Sequence, residues 1–242
     1  MGPLNDNIWS SVACTDAGKV RDHNEDAYLD LPAQSLWVVA DGMGGHSEGE
    51  VASRMIVDSL RQYRRTTQLG ANVRQITQRL RAVNSALLHR AGPGSSRIIG
   101  STVAVFLADH HHGVCLWAGD SRVYRYRDKT LKQLTLDHNH AENLMEDGMP
   151  AEQIVLHPGA QALTRAVGSE DTLDLESRIL ELKQGDIYLL CSDGLTKEVT
   201  DREIADILAA SHSLFQSMHT LKDLALQRAG RDNVTILLTQ FN

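Results

Sequence analysis

The feature that most restricts how this chain can fold is a repeated one: an apolar run of strand length that ends on an aspartate beside glycine. It is fullest in Leu36-Trp-Val-Val-Ala-Asp41-Gly-Met-Gly-Gly-His46, and it returns in Val114-Cys-Leu-Trp-Ala-Gly-Asp120 and in Ile187-Tyr-Leu-Leu-Cys-Ser-Asp193-Gly194. In Gly230-Arg-Asp232-Asn-Val-Thr-Ile-Leu-Leu238 the aspartate stands just before the run. Short apolar runs with bulky and β-branched members, bounded by glycine, read as buried strands. Glycine lets the backbone turn sharply and offer its carbonyls and amides to a ligand. One Asp-Gly pair also makes an ordinary hairpin turn, but its recurrence makes strand ends that gather carboxylates the stronger reading.

The rest of the chain supplies the elements around these strands. Residues 8–15 and 27–31 read as short strands either side of a polar connection, Asp16 to Asp26. Val51, Met55, Ile56, Leu60 and Tyr63 share one side at helical spacing. Val73, Ile76, Leu80, Val83 and Leu87 form a second helix, which Gly92-Pro93-Gly94 stops. Two such helices fit an antiparallel pair covering a sheet. Runs at 101–107, 114–118, 122–127 and 131–134 predict a meander of antiparallel strands, with His110-His111-His112 in a solvated hairpin loop rather than around a metal. Periodicity weakens from Thr135 to Asp171, where one or two short helices are expected in an irregular surface segment. Strands follow at 176–182 and 186–192. Then come a helix opened by a Thr200/Glu203 capping box, a helix at 220–229 and a closing strand at 233–240. No repeat or linker divides the chain, so residues 1–242 are expected to form one domain.

The 242 residues are 42% apolar and 23% charged, with a net charge of -7. That acidity argues against nucleic acid and anionic membranes as partners. Cys14, Cys115 and Cys191 form no paired motif and fit reduced core residues of a cytoplasmic protein. No run is long enough to span a bilayer. The first seven residues lack the basic-then-apolar pattern of a secretory leader, and Asp6 stands where a myristoylation signal needs Ser or Thr.

Carboxylates gathered in one place repel and raise one another's pKa unless cations neutralise them. All-oxygen ligands favour Mg²⁺ or Mn²⁺ over zinc. Two such ions can carry water as hydroxide, moving its pKa from 15.7 toward about 7, and can stabilise in-line displacement at phosphorus. A phosphate ester also needs an anion clamp, and Arg21 offers the two-pronged geometry a guanidinium provides. Its plain alternative is an exposed surface arginine. Glu25 and Asp26 are turn residues or an outer layer that orients water.

The ordered set Thr15-Asp-x-Gly-x-x-Arg21-x-x-Asn24-Glu25-Asp26, Asp41-Gly-Met-Gly-Gly45, Gly100-Ser-Thr102, Gly119-Asp-Ser-Arg122, Ser192-Asp-Gly194 and Arg231-Asp-Asn233 resembles the type-2C metal-dependent serine/threonine protein phosphatases, most of all their compact bacterial members. The resemblance spans residues 15 to 233. It implies an α+β fold, a four-layer α-β-β-α sandwich of two central antiparallel sheets flanked by helix pairs. It implies two Mn²⁺ or Mg²⁺ ions, with Asp41 bridging them, the Gly42 carbonyl on one, and Asp193 and Asp232 on the other. A third, weaker ion would use Asp120 with Asp193. Arg21 would bind the phosphoryl group, Glu25 and Asp26 would hold metal-bound waters, and residues 135–171 would form a flap beside the cleft. The implied activity is hydrolysis of phosphoserine and phosphothreonine in proteins by direct attack of water, by a cytoplasmic monomer that opposes a kinase in signal transduction.

One departure stands out. Many eukaryotic relatives carry histidine after the Asp-Gly pair, as the proposed acid for the leaving alkoxide, whereas this chain has Met43. The proton must come from metal-bound water or from another residue, of which His46 is the candidate. The Cys-x₅-Arg route is absent, since Val20, Ser121 and Lys197 stand where it needs arginine. Two other classes share parts of the pattern: a non-catalytic phosphoprotein-binding module, and a two-metal nuclease or small-molecule phosphatase, of which the acidic charge disfavours the nuclease.

Overall fold

The computed structural model describes residues 9–44, 47–92 and 97–242. The expectations placed on the first eight residues, Gly45, His46, Pro93 and Gly94 lie outside these described residues. The chain begins with β1 (Trp9–Asp16), β2 (Asp26–Leu31), β3 (Leu36–Met43), α1 (Glu48–Arg61) and α2 (Leu69–Ala91). Next come β4 (Gly100–Ser101), β5 (Val103–Ala108), β6 (His112–Ala118), β7 (Arg122–Arg127), β8 (Thr130–Gln133), α3 (His140–Glu146) and α4 (Ala151–Leu156). The last part holds β9 (Glu176–Glu181), β10 (Ile187–Cys191), α5 (Asp193–Thr196), α6 (Asp201–Ala210), α7 (Leu214–Arg228) and β11 (Val234–Phe241).

Two antiparallel sheets form, in the orders β1-β11-β10-β7-β8 and β2-β3-β5-β6-β9, with β4 paired to β3. Strand alternation explains why the central runs are apolar throughout. Leu36, Val38 and Ala40 of β3 pack under α1 and α2, while Trp37 and Val39 point between the sheets. In the other sheet Leu189 and Cys191 meet the α6–α7 pair, and Tyr188 and Leu190 face inward. The layers are therefore helices, sheet, sheet, helices, as the resemblance implies.

The structure corrects some boundaries. The strands expected as one meander are divided: β5 and β6 pair in one sheet, β7 and β8 in the other. Gly119, at φ +110°, and Asp120 carry the chain across. A tight turn between alternating runs looks the same in sequence whether the strands pair or change sheets, so periodicity could not separate the two cases. Strand β3 continues past Asp41 to pair Gly42 and Met43 with Ser101 and Gly100. The late helix starts at Leu214 rather than 220, because the Ser213 side chain caps it by accepting the Gln216 amide. The expected capping box at Thr200 and Glu203 is present. The three cysteines are unpaired, and Asp109 Oδ1 accepts the amides of His111 and His112 in an exposed hairpin loop. Among the described residues no helix is long and apolar enough to cross a membrane.

Candidate active site

The same alternation that fills the core places the acids. Asp41 shares the inward face of β3 with Trp37 and Val39, two residues beyond the last of them. Asp26 opens β2 directly opposite Asp41 in the strand register. Asp120 sits in the crossover from β6 to β7, Asp193 follows β10 as the first residue of α5, and Asp232 precedes β11. Strands from both sheets thus deliver their carboxylates to one end of the sandwich.

Arg21, Glu25, Asp41, Gly42, Asp120, Asp193 and Asp232 line a single cavity of about 240 Å³, together with Met43, Thr102, Asn233, Gln161 and Leu163. Of the residues anticipated from sequence, Asp26 is behind this wall, buried at 7% exposure. Its Oδ2 accepts hydrogen bonds from Ser192 Oγ and Thr235 Oγ1, each at 2.7 Å. Thr102 fixes Asp41: its Oγ1 accepts the Asp41 amide at 3.0 Å, and its own amide donates to the Asp41 carbonyl at 2.8 Å. Asn233 clamps the Arg21 loop, accepting the Glu25 amide and donating to the carbonyls of Ala17 and His23. Gly42 is required here because a Cβ would lie 2.0 Å from the Gly49 carbonyl oxygen, where α1 crosses the strand.

Thr102, Ser192, Asn233 and Thr235 all stand within the quoted motifs and runs, where sequence alone assigns them no task. It also gives no site role to Lys197. The Lys197 ammonium pairs with Asp193 Oδ2 and lies 3.3 Å from Asp232 Oδ2. Arg21 Nη2 pairs with Asp232 Oδ1 at 2.9 Å. The available signal was spacing, since residues four apart share a face of a helical turn.

The cluster is electrostatically strained. Burial and then its neighbours Asp26, Asp193 and Asp120 push Asp41 well above the ordinary carboxylate range. Burial raises Asp26 to about 7, against its two hydroxyl donors. Burial, with Asp193 and Asp137 adding repulsion, raises Asp120 to about 7. Burial works against the Lys197 ammonium, yet Asp193 and Asp232 outweigh it and raise its pKa. Asp26 Oδ1 and Asp193 Oδ1 are buried without a hydrogen-bond partner, which an acceptor lone pair tolerates only at a cost. Cations directed at these oxygens would relieve both the repulsion and the missing partners, and an all-oxygen donor set suits hard divalent ions. The residues therefore fit the two ions that the sequence implies. Among the described residues, however, no three acidic, histidine or cysteine side chains already converge as a ready ligand set, and Lys197 and Arg21 engage Asp232 instead.

The segment 135–171 reaches this end through Gln161 and Leu163. Asp137 receives Arg122 in a two-pronged pair and also Gln133, while Asn139 bridges Leu163 and Ser101 bridges Val167. These contacts hold Gln161 and Leu163 at the cleft wall.

The chain is similar to known proteins over nearly its whole length. Serine/threonine phosphatase Stp of Listeria welshimeri is 34% identical over 237 residues, covering 94% of each chain. The solved structure of PppA from Pseudomonas aeruginosa, described as a key regulatory component of T6SS, superposes with a TM-score of 0.89 at 39% identity, covering 96% of this chain and 97% of its own. The catalytic domain of the serine/threonine protein phosphatase PstP, solved in complex with two manganese ions, matches at 31% identity and a TM-score of 0.83, covering 96% of this chain and 98% of that one. The protein phosphatase 2C model matches residues 17–228, and with that coverage the chain belongs to the protein phosphatase 2C family.

Proposed function

We propose that this protein is a Mn²⁺- or Mg²⁺-dependent protein phosphatase that removes phosphate from phosphoserine and phosphothreonine and thereby opposes a serine/threonine kinase. The observation that carries the reading is the meeting of Asp41, Asp120, Asp193 and Asp232 in one cleft with the exposed guanidinium of Arg21 at its mouth. The serine/threonine phosphatase names of its relatives and the manganese in PstP support it.

When bound, the ions supply an activated water and positive charge against the transition state. Asp41 would be shared between the two, the Gly42 carbonyl would serve one, and Asp193 and Asp232 the other, with Asp120 and Asp193 holding a third. Thr102 keeps the Asp41 backbone fixed while the side chain works. Arg21 would orient the phosphoryl group by a two-pronged contact, and Glu25 and Asp26 would order water at the rim and behind it. Met43 lines the cleft without a proton to give, so the leaving alkoxide takes its proton from water or another residue. The reading covers residues 1–242 as one catalytic domain with a 135–171 flap, acting as a cytoplasmic monomer in signalling. The free cysteines support the compartment, and the net charge of -7 weighs against nucleic acid as a partner.

The test is hydrolysis of p-nitrophenyl phosphate and of phosphoserine and phosphothreonine peptides, with nucleotides and sugar phosphates for comparison. Turnover should need Mn²⁺ or Mg²⁺, favour the peptides, and disappear in Asp41→Asn and Asp193→Asn. Full activity in excess EDTA would reject the reading.

A further inference from the structure

Lys197 closes the helical turn that Asp193 opens, its amide donating to the Asp193 carbonyl at 2.8 Å. Four residues of separation put its side chain over the same carboxylate, and its ammonium reaches Oδ2 of both Asp193 and Asp232. The remaining oxygen of Asp232 is also taken: Oδ1 meets Arg21 at 2.9 Å and accepts the Asn233 amide at 3.1 Å. Asp193 keeps Oδ1 without a partner. Both aspartates are thus turned toward side-chain cations, and a divalent ion on Asp232 would meet a like charge at either oxygen. Arg21 is a planar fork suited to the phosphoryl group, whereas Lys197 carries a compact charge on a flexible stem. Its side chain is 43% exposed, so part of it already faces solvent.

We infer that Lys197 is a tethered counter-ion of the metal cage: it neutralises Asp193 and Asp232 in the metal-free protein and must be displaced before a divalent ion binds them. The inference rests on the two-metal reading above and adds a consequence to it. Part of the binding energy of the ion is spent in removing an internal competitor, so half-occupancy of the site moves to a higher divalent-ion concentration than the carboxylate set alone would need.

Isothermal titration of metal-free protein with MnCl₂ tests this without reference to turnover. Lys197→Met keeps the length and apolar stem of the side chain and removes its charge; it should bind Mn²⁺ about tenfold more tightly than wild type, or better. Lys197→Gln should shift the same way, and Lys197→Arg, which keeps the charge, should stay close to wild type. Circular dichroism of each variant checks that it folds as wild type does. Equal or weaker Mn²⁺ affinity in both uncharged variants, with wild type binding normally, would overturn the counter-ion role and leave the phosphatase reading intact. Absence of Mn²⁺ binding in wild type would remove the metal reading itself, and this inference with it.

Discussion

Arg21 stands with about half of its side chain in solvent, its guanidinium against Asp232. An ion pair this exposed contributes little to stability, so its value lies in being available at the cleft mouth. Arg21→Ala should therefore raise KM for a phosphopeptide by about tenfold or more while melting of the protein changes little, since a lost charge-assisted hydrogen bond is worth roughly 1.5–3 kcal/mol. Steady-state kinetics on wild type and variant read this directly, and an unchanged KM would make Arg21 a partner of Asp232 only. Asp26 presents the opposite case. It is buried opposite Asp41, an unfavourable pairing of like charges across neighbouring strands, and it persists because Ser192 and Thr235 donate to it. Both hydroxyls stand inside the acid-bearing runs but 166 and 209 residues away from Asp26, so no local pattern ties them to it.

Among the elements, the start of the 135–171 segment is tied to the β6–β7 crossover. His138 is the tie: its Nδ1 accepts the Gly119 amide at 3.2 Å, its own amide donates to the Gly119 carbonyl, and its ring stacks on Trp117. An Nδ1 that accepts must be unprotonated. Burial, then the Arg165 charge, lowers the His138 pKa below its ordinary 6.5, although Glu176 Oε1 lies 3.4 Å from Nε2. Because the folded value is depressed, the unfolded chain binds more protons as pH falls below 6.5. The stabilisation is therefore complete above 6.5 and is lost as pH falls through the folded value. Between about pH 7.5 and about pH 5.5, wild type should lose more melting temperature than His138→Gln. Parallel pH dependence in the two proteins would show that this ring does not titrate on unfolding.

For the molecule as a whole, the cleft exists because two sheets are held face to face. Phe106 of β5 stacks on Tyr188 of β10 at 4.2 Å and on Trp37 at 5.5 Å, fully buried between the sheets. Phe106→Ala leaves a cavity in that contact and should cost about 3–5 kcal/mol in denaturant unfolding. A loss well below that range would mean that the layers close on the gap.

Local sequence determined the elements, the aspartates that follow or precede them, and the ordered motifs from Thr15 to Asn233, because side-chain periodicity and glycine placement act within a few residues. Alternation also fixed the face of β3 that Asp41 shares with Trp37 and Val39. Only the tertiary structure decided that β6 and β7 belong to different sheets, that Asp26 lies opposite Asp41 and behind the cleft wall, and that Lys197 stands between Asp193 and Asp232. Those facts depend on contacts between segments far apart in the chain, where register and burial set which charges become neighbours. No local pattern specifies that choice; the packing of the two sheets does.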